Sequence, residues 1–97
     1  MKDVNSILEM LRKNKPQLAK DYGLVNIGVF GSYVRAEQTE NSDVDILIEL
    51  SVPVGLISIL KLKHTLEDII GSRVDVVSRK ALKPYIGARI LKEVRYA

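Results

Sequence analysis

The 97-residue chain has no cysteine and no tryptophan. Without cysteine it forms no disulfide and no thiolate metal site, and a reducing cytoplasmic compartment is the expected setting. Aromatic residues are scarce, one Phe and four Tyr. That scarcity argues against a surface on which nucleic-acid bases stack, so direct nucleic-acid binding is not expected. No apolar run approaches the roughly 20 residues that span a bilayer, and Met1-Lys2-Asp3 lacks the apolar core of a signal peptide. A soluble, intracellular protein without membrane association is expected. There is no internal repeat, low-complexity tract or linker, and residues 1–97 read as one compact domain with no separate substrate-recognition domain. A core this small buries only a little over about 60% of the unfolded surface, so a partner or a second copy would add to its stability.

A hydrophobic fraction of 46% and a charged fraction of 28% suit an ordinary folded protein. The net charge of +3 is unevenly placed: residues 1–60 carry six basic and eight acidic side chains, and residues 61–97 carry nine and four. The basic end reads first as solvated helix faces, including Arg89, Lys92 and Arg95, and second as a docking patch.

Val4, Ile7, Leu8 and Leu11 follow helical spacing, with Asp3 as a cap and Gly23 as a stop. Pro16 is expected to interrupt or restart this helix. Residues 25–30 and 43–50 read as strands, with one or two helical turns over residues 33–37 between them. A helix follows from Val54 to Ile70, its apolar set including Leu56, Ile59, Leu60, Leu62 and Leu66, and closes at Gly71. Residues 73–77 form another strand, and a last helix starts near Pro84 and runs through Val94. The expected fold is α/β (α+β), a small mixed or antiparallel sheet of three to four strands with helices covering one face.

Three features carry chemistry. Gly31-Ser32 follows a strand; glycine admits close backbone approach, and free N–H groups with a hydroxyl favour an anion such as phosphate. By itself the pair is an ordinary turn. Asp43-x-Asp45 places two carboxylates on one strand face, their Cα atoms about 6.5 Å apart, where two-metal sites hold their ions about 3.5–4 Å apart. Aspartate is a poor strand former, so core packing does not explain the pair; a Ser-Asp turn capping the strand is the plain alternative. Asp75 lies inside Val-Asp-Val-Val. It suits either an edge strand facing water or, beside the Asp43–Asp45 strand, a third carboxylate whose repulsion a divalent cation relieves. Mg²⁺ fits carboxylates completed by water and phosphate oxygens. Together the three features describe a phosphoryl-transfer site in which metal polarises an α-phosphate and Asp75 holds metal near the attacking hydroxyl, lowering its pKa.

Phe30-Gly31-Ser32-Tyr33-Val34-Arg35-Ala36 through Ser42-Asp43-Val44-Asp45-Ile46-Leu47 resembles the signature of the DNA polymerase beta nucleotidyltransferase superfamily. The whole chain is similar to the minimal nucleotidyltransferases of bacteria and archaea. The resemblance implies that Gly31 and Ser32 hold the triphosphate of ATP, that Asp43, Asp45 and Asp75 bind Mg²⁺, two ions in all, and that Arg35 steadies the motif or touches phosphate. One departure stands out: the family often has glycine after that arginine, and here it is Ala36. The resemblance also implies a HEPN-domain toxin as partner, with AMP transferred from ATP to its tyrosine in a toxin–antitoxin system. A small-molecule or RNA acceptor, or a non-catalytic toxin-binding module, are the competing readings. Of the remaining residues, His64 is expected on the surface and Tyr33 and Tyr96 in helix-end packing; Glu49 shares a strand face with Asp45, but a place outside the site is the favoured reading over one at its edge.

Overall fold

The computed structural model describes residues 3–97. Helix α1 (Val4–Tyr22) begins where the Asp3 carboxylate accepts the Ser6 N–H, and ends where Gly23, at φ 70°, sends its N–H back to the Ala19 carbonyl. Both termini behave as their residue types require. Pro16 neither breaks nor restarts the helix, contrary to expectation: α1 is continuous through it. Proline deletes one i→i−4 bond, but Pro16 is exposed and buried Leu11 and Leu18 anchor the turns on either side.

Strand β1 (Leu24–Phe30) passes through a short 3₁₀ turn at Gly31–Tyr33 and a polar loop into β2 (Val44–Leu50). Helix α2 (Leu56–Ile70), closed by left-handed Gly71, leads to β3 (Val74–Ser78). A second 3₁₀ turn at Arg79–Ala81 precedes α3 (Pro84–Glu93), and a two-residue strand β4 (Arg95–Tyr96) follows. The sheet order is β3-β2-β1-β4. β1 pairs antiparallel with β2 and β4, whereas β2 and β3 run parallel, joined by α2 as the crossover. No helix of the described residues is long and apolar enough to cross a membrane.

The sheet is mixed and four-stranded, but its helices do not all lie on one face. Ile27, Val29, Val44, Ile46 and Ile48 face α1 and α2, meeting Ile7, Leu8, Leu11, Leu62, Leu66 and Ile70. Phe30 and Leu47 point the other way and meet Ile90 of α3. Strand alternation produces the division: the residues that precede and follow Ile46, Asp45 and Leu47, share the α3 side. Each fully buried Leu or Ile on the larger side stabilises the fold by about 1.5–3 kcal/mol. The apolar pattern of α2 overstates its buried stripe, because Leu56 and Leu60 are exposed, although Ile59 between them packs against the core. Tyr33 is buried in the main core, whereas Tyr96 sits exposed in β4, a strand the helical pattern through Val94 does not anticipate.

Ala36 occupies the position where the family departure falls, and its φ is 57°. A left-handed backbone costs an L-residue about 1–2 kcal/mol, whereas glycine adopts it freely but loses more entropy on folding. Ala36→Gly is therefore expected to stabilise the protein by about 0.5–1 kcal/mol, seen as a rise of a few degrees in Tm.

Candidate active site

The site forms where β1 ends and β2 and β3 begin. Phe30, the last residue of β1, pairs with Asp45 in the antiparallel ladder, and Asp45 pairs with Asp75 in the parallel one. Asp45 is thus flanked by the Gly31 turn on one side and by Asp75 on the other. Asp43 immediately precedes β2, its carboxylate 3.2 Å from the Arg73 guanidinium. That pair is open to water and contributes little to stability; Arg73 also donates to the Asn41 carbonyl, 3.2 Å away, and so pins the loop before the acids. Ser42 belongs to the same loop, where its hydroxyl accepts the Thr39 N–H at 2.9 Å.

Gly31 has φ 78°, and a Cβ built on it would stand 2.0 Å from Asp45 Oδ2. Only glycine fits there, so the turn and the half-buried carboxylate are packed directly together. The turn closes on itself through Val34 and Arg35 N–H groups donating to the Gly31 carbonyl, and the Glu37 N–H to that of Ser32. Arg35 extends from it and donates to Glu37 and to Glu93, each at 2.5 Å. The Glu93 carboxylate, at the end of α3, also accepts the Gly31 N–H at 2.9 Å. A cavity of about 250 Å³ opens beside the turn, walled by Phe30, Asp45, Ile86, Arg89, Ile90 and Glu93.

The electrostatics mark Asp45. Burial first, then the charges of Asp75 and Asp43, push its carboxyl above the ordinary aspartate range, against the lowering effect of Arg35. Glu93 goes the opposite way: burial opposes its charge, but the Gly31 N–H and the Arg35 guanidinium outweigh that and hold it below the usual range. Three acids repelling one another across adjoining strands are the groups a divalent cation would neutralise. Among the described residues, no three acid, histidine or cysteine side chains close into a ready-made metal cage; water and phosphate oxygens would complete the shell, as Mg²⁺ commonly requires.

The sequence-derived candidates Gly31, Ser32, Arg35, Asp43, Asp45 and Asp75 are all placed at this one end of the sheet. Asp75 is exposed on an edge strand and lies directly opposite Asp45. Glu49 does not reach the site; its carboxylate turns to Arg79 at 3.5 Å. His64 is a surface residue, its ring 3.6 Å from Glu67. Glu93 and the Ile86–Arg89–Ile90 wall escaped the sequence reading. The i, i+3, i+4 spacing of Ile86, Arg89 and Ile90 was the available signal, but it says nothing about which sheet face α3 covers.

Because Asp45 carries a raised pKa in the folded protein, the folded state holds that proton more tightly than the unfolded chain. Metal-free stability therefore falls as pH climbs from the ordinary aspartate value through the raised one. Asp45→Asn is expected to raise the metal-free Tm at neutral pH, with a benefit that shrinks on acidification. Mg²⁺ is expected to raise the Tm of the wild type but not of the variant; thermal melts across pH with and without metal measure both.

A turn that presents backbone donors and a serine beside carboxylates on two neighbouring strands, at one end of a mixed sheet, defines a nucleotidyltransferase. The chain belongs to the nucleotidyltransferase domain family, whose model matches residues 10–97. It is 41% identical over 96 residues to the protein adenylyltransferase MntA of Thermococcus cleftensis, covering 99% of this chain and 97% of the relative. A solved structure described as a candidate minimal nucleotidyltransferase superposes with a TM-score of 0.79 at 34% identity, over 97% of this chain and 95% of the other. A toxin–antitoxin structure with AMP-PNP superposes with a TM-score of 0.72 at 25% identity, covering 98% of this chain and 72% of that one.

Proposed function

We propose that the protein transfers AMP from ATP, with Mg²⁺, to a tyrosine hydroxyl of a HEPN-domain toxin and thereby silences it. The observation that carries the chemistry is the meeting of Asp45 with both Gly31 and Asp75, which sets a phosphate-binding turn against the acids. The protein acceptor is supported by similarity to a protein adenylyltransferase and to a chain of a toxin–antitoxin structure with AMP-PNP. Cavity size supports it as well. At about 250 Å³ the pocket falls short of the ~300–1,000 Å³ of sites that enclose a drug-sized ligand. Bound ATP would keep one side open to an acceptor carried on a second macromolecule.

In this reading Ser32 holds the β- and γ-phosphates, and Arg35, already fixed by Glu93, faces the same anion. Asp43, Asp45 and Asp75 are the residues that would hold Mg²⁺. When bound, the metal offsets charge on the α-phosphate and the departing pyrophosphate. The acceptor oxygen attacks the α-phosphorus, the bond to the β-phosphate oxygen breaks, and pyrophosphate leaves. Asp75 is exposed at the sheet edge, where an incoming hydroxyl meets a carboxylate able to take its proton. The nucleoside lies against Ile86 and Ile90, apolar groups beside the turn. Incubation with α-labelled ATP, Mg²⁺ and a candidate HEPN-domain toxin tests the proposal. Label is expected on the toxin and lost with a chelator; a toxin left unlabelled across Mg²⁺ and Mn²⁺ concentrations overturns it.

A further inference from the structure

Glu93 makes contacts that a surface helix end does not need. One carboxylate oxygen accepts the Gly31 N–H at 2.9 Å and the other accepts from Arg35 Nη1 at 2.5 Å. Both partners belong to the same turn, one at its start and one after it, so a single side chain grips the segment at two points. A charged acceptor makes each of these bonds stronger than a neutral one would. The carboxylate sits on the cavity wall and is only 22% exposed, with neighbours that keep it ionised.

Its position is set by the chain on either side. Ile90, one helical turn earlier, packs on Phe30 and Leu47. After Val94 the backbone enters β4, where Arg95 pairs with Val29 and Tyr96 with Gly28. Gly28 permits this closure: a Cβ there would stand 2.9 Å from the Arg95 carbonyl oxygen and 2.7 Å from a Val94 methyl. Glu93 is therefore held between a packed helix and a paired strand while its carboxylate reaches the turn.

We propose that Glu93 is the positioning residue of the nucleotide site: by engaging the Gly31 N–H and Arg35 together it fixes the turn so that Ser32 and the remaining donors meet the triphosphate. The inference rests on the nucleotidyltransfer reading of this site. With the Gly31 N–H committed to Glu93, phosphate is left to Ser32 and to Arg35, whose charge Glu93 and Glu37 orient. Without Glu93, the Gly31 peptide loses its acceptor and the Arg35 guanidinium is held by Glu37 alone. The opposite arrangement would make Glu93 a stand-in for phosphate that ATP must displace, and the two make contrary predictions.

ATP binding by calorimetry and KM for ATP are measured for wild type, Glu93→Ala and Glu93→Gln. Loss of the two charge-assisted contacts that shape the turn is expected to weaken ATP binding about 10-fold or more in Glu93→Ala. Glu93→Gln keeps an acceptor for Gly31 and is expected to recover most of that loss; a residue serving stability alone would change Tm and leave KM unmoved. The Gly31 amide of the wild type, followed by NMR hydrogen exchange, needs no variant. It is expected to stay protected when ATP saturates the site. Unchanged or tighter ATP binding in Glu93→Ala, or loss of Gly31 protection on adding ATP, overturns the proposal. A wild-type protein that binds no ATP defeats instead the functional reading on which it rests.

Discussion

Asp43→Asn/Asp45→Asn is expected to leave a folded protein whose nucleotidyl transfer is slower by about 10³-fold or more, since metal at such a centre supplies several kcal/mol of transition-state stabilisation. Asparagine keeps the size of each side chain, so the contact of residue 45 with Gly31 survives while the charge is lost. Among the described residues Asp43 forms an ion pair with exposed Arg73 alone, and Asp45 is destabilised by its neighbours, so the fold does not depend on either charge. Single-turnover label transfer, alongside circular dichroism, separates lost chemistry from lost structure. Glu49→Gln is the matched control. It removes an acid from the same strand face, but one committed to Arg79, and transfer is expected to remain within about twofold of wild type because surface pairs of this kind contribute little.

Gly31→Ala is expected to act almost as severely by a different route. At φ 78° an alanine is strained by about 1–2 kcal/mol, and its methyl would collide with Asp45 Oδ2 at 2.0 Å. Relief requires that the turn back away or that the carboxylate rotate, and each moves the proposed phosphate-binding turn relative to the acids proposed to hold metal. A misplacement of about 1 Å can cost 10²-fold in rate. The variant is expected to lose about 10²-fold in transfer and several degrees in Tm, read by kinetics and thermal melts. Wild-type transfer by Gly31→Ala would show that the turn and Asp45 do not act together.

Much of this arrangement is legible in the residues, for reasons that can be named. Asp3 and Gly23 mark the ends of α1 because their side-chain and backbone preferences are local. Gly31-Ser32 and Asp43-x-Asp45 stand out because neither pair makes sense as core. What stayed hidden depends on tertiary context. Pro16 is tolerated because packing on both sides outweighs one missing bond. The α3 helix crosses to the second face because Phe30 and Leu47 leave an apolar patch there, which strand alternation alone does not assign to a particular helix. Arg95 and Tyr96 become a strand only because Gly28 lets them approach β1. Glu93 gave no signal, since a lone acid at a helix end resembles any solvated one. Asp75 was legible as an acid within an apolar strand, but its place opposite Asp45 needed the parallel register that the α2 crossover creates.

The parallel pairing of Asp45 with Asp75 also bears on the birth of the molecule. A ribosome releases the glycine-serine turn and the first two acids well before the third, which must wait for an entire helix to emerge, and Glu93 comes later still. A half-made chain can thus display its signature motif without a working centre. Long-range pairing of this sort forms late and slowly, so the centre assembles only after Asp75 and then Glu93 have both left the ribosome.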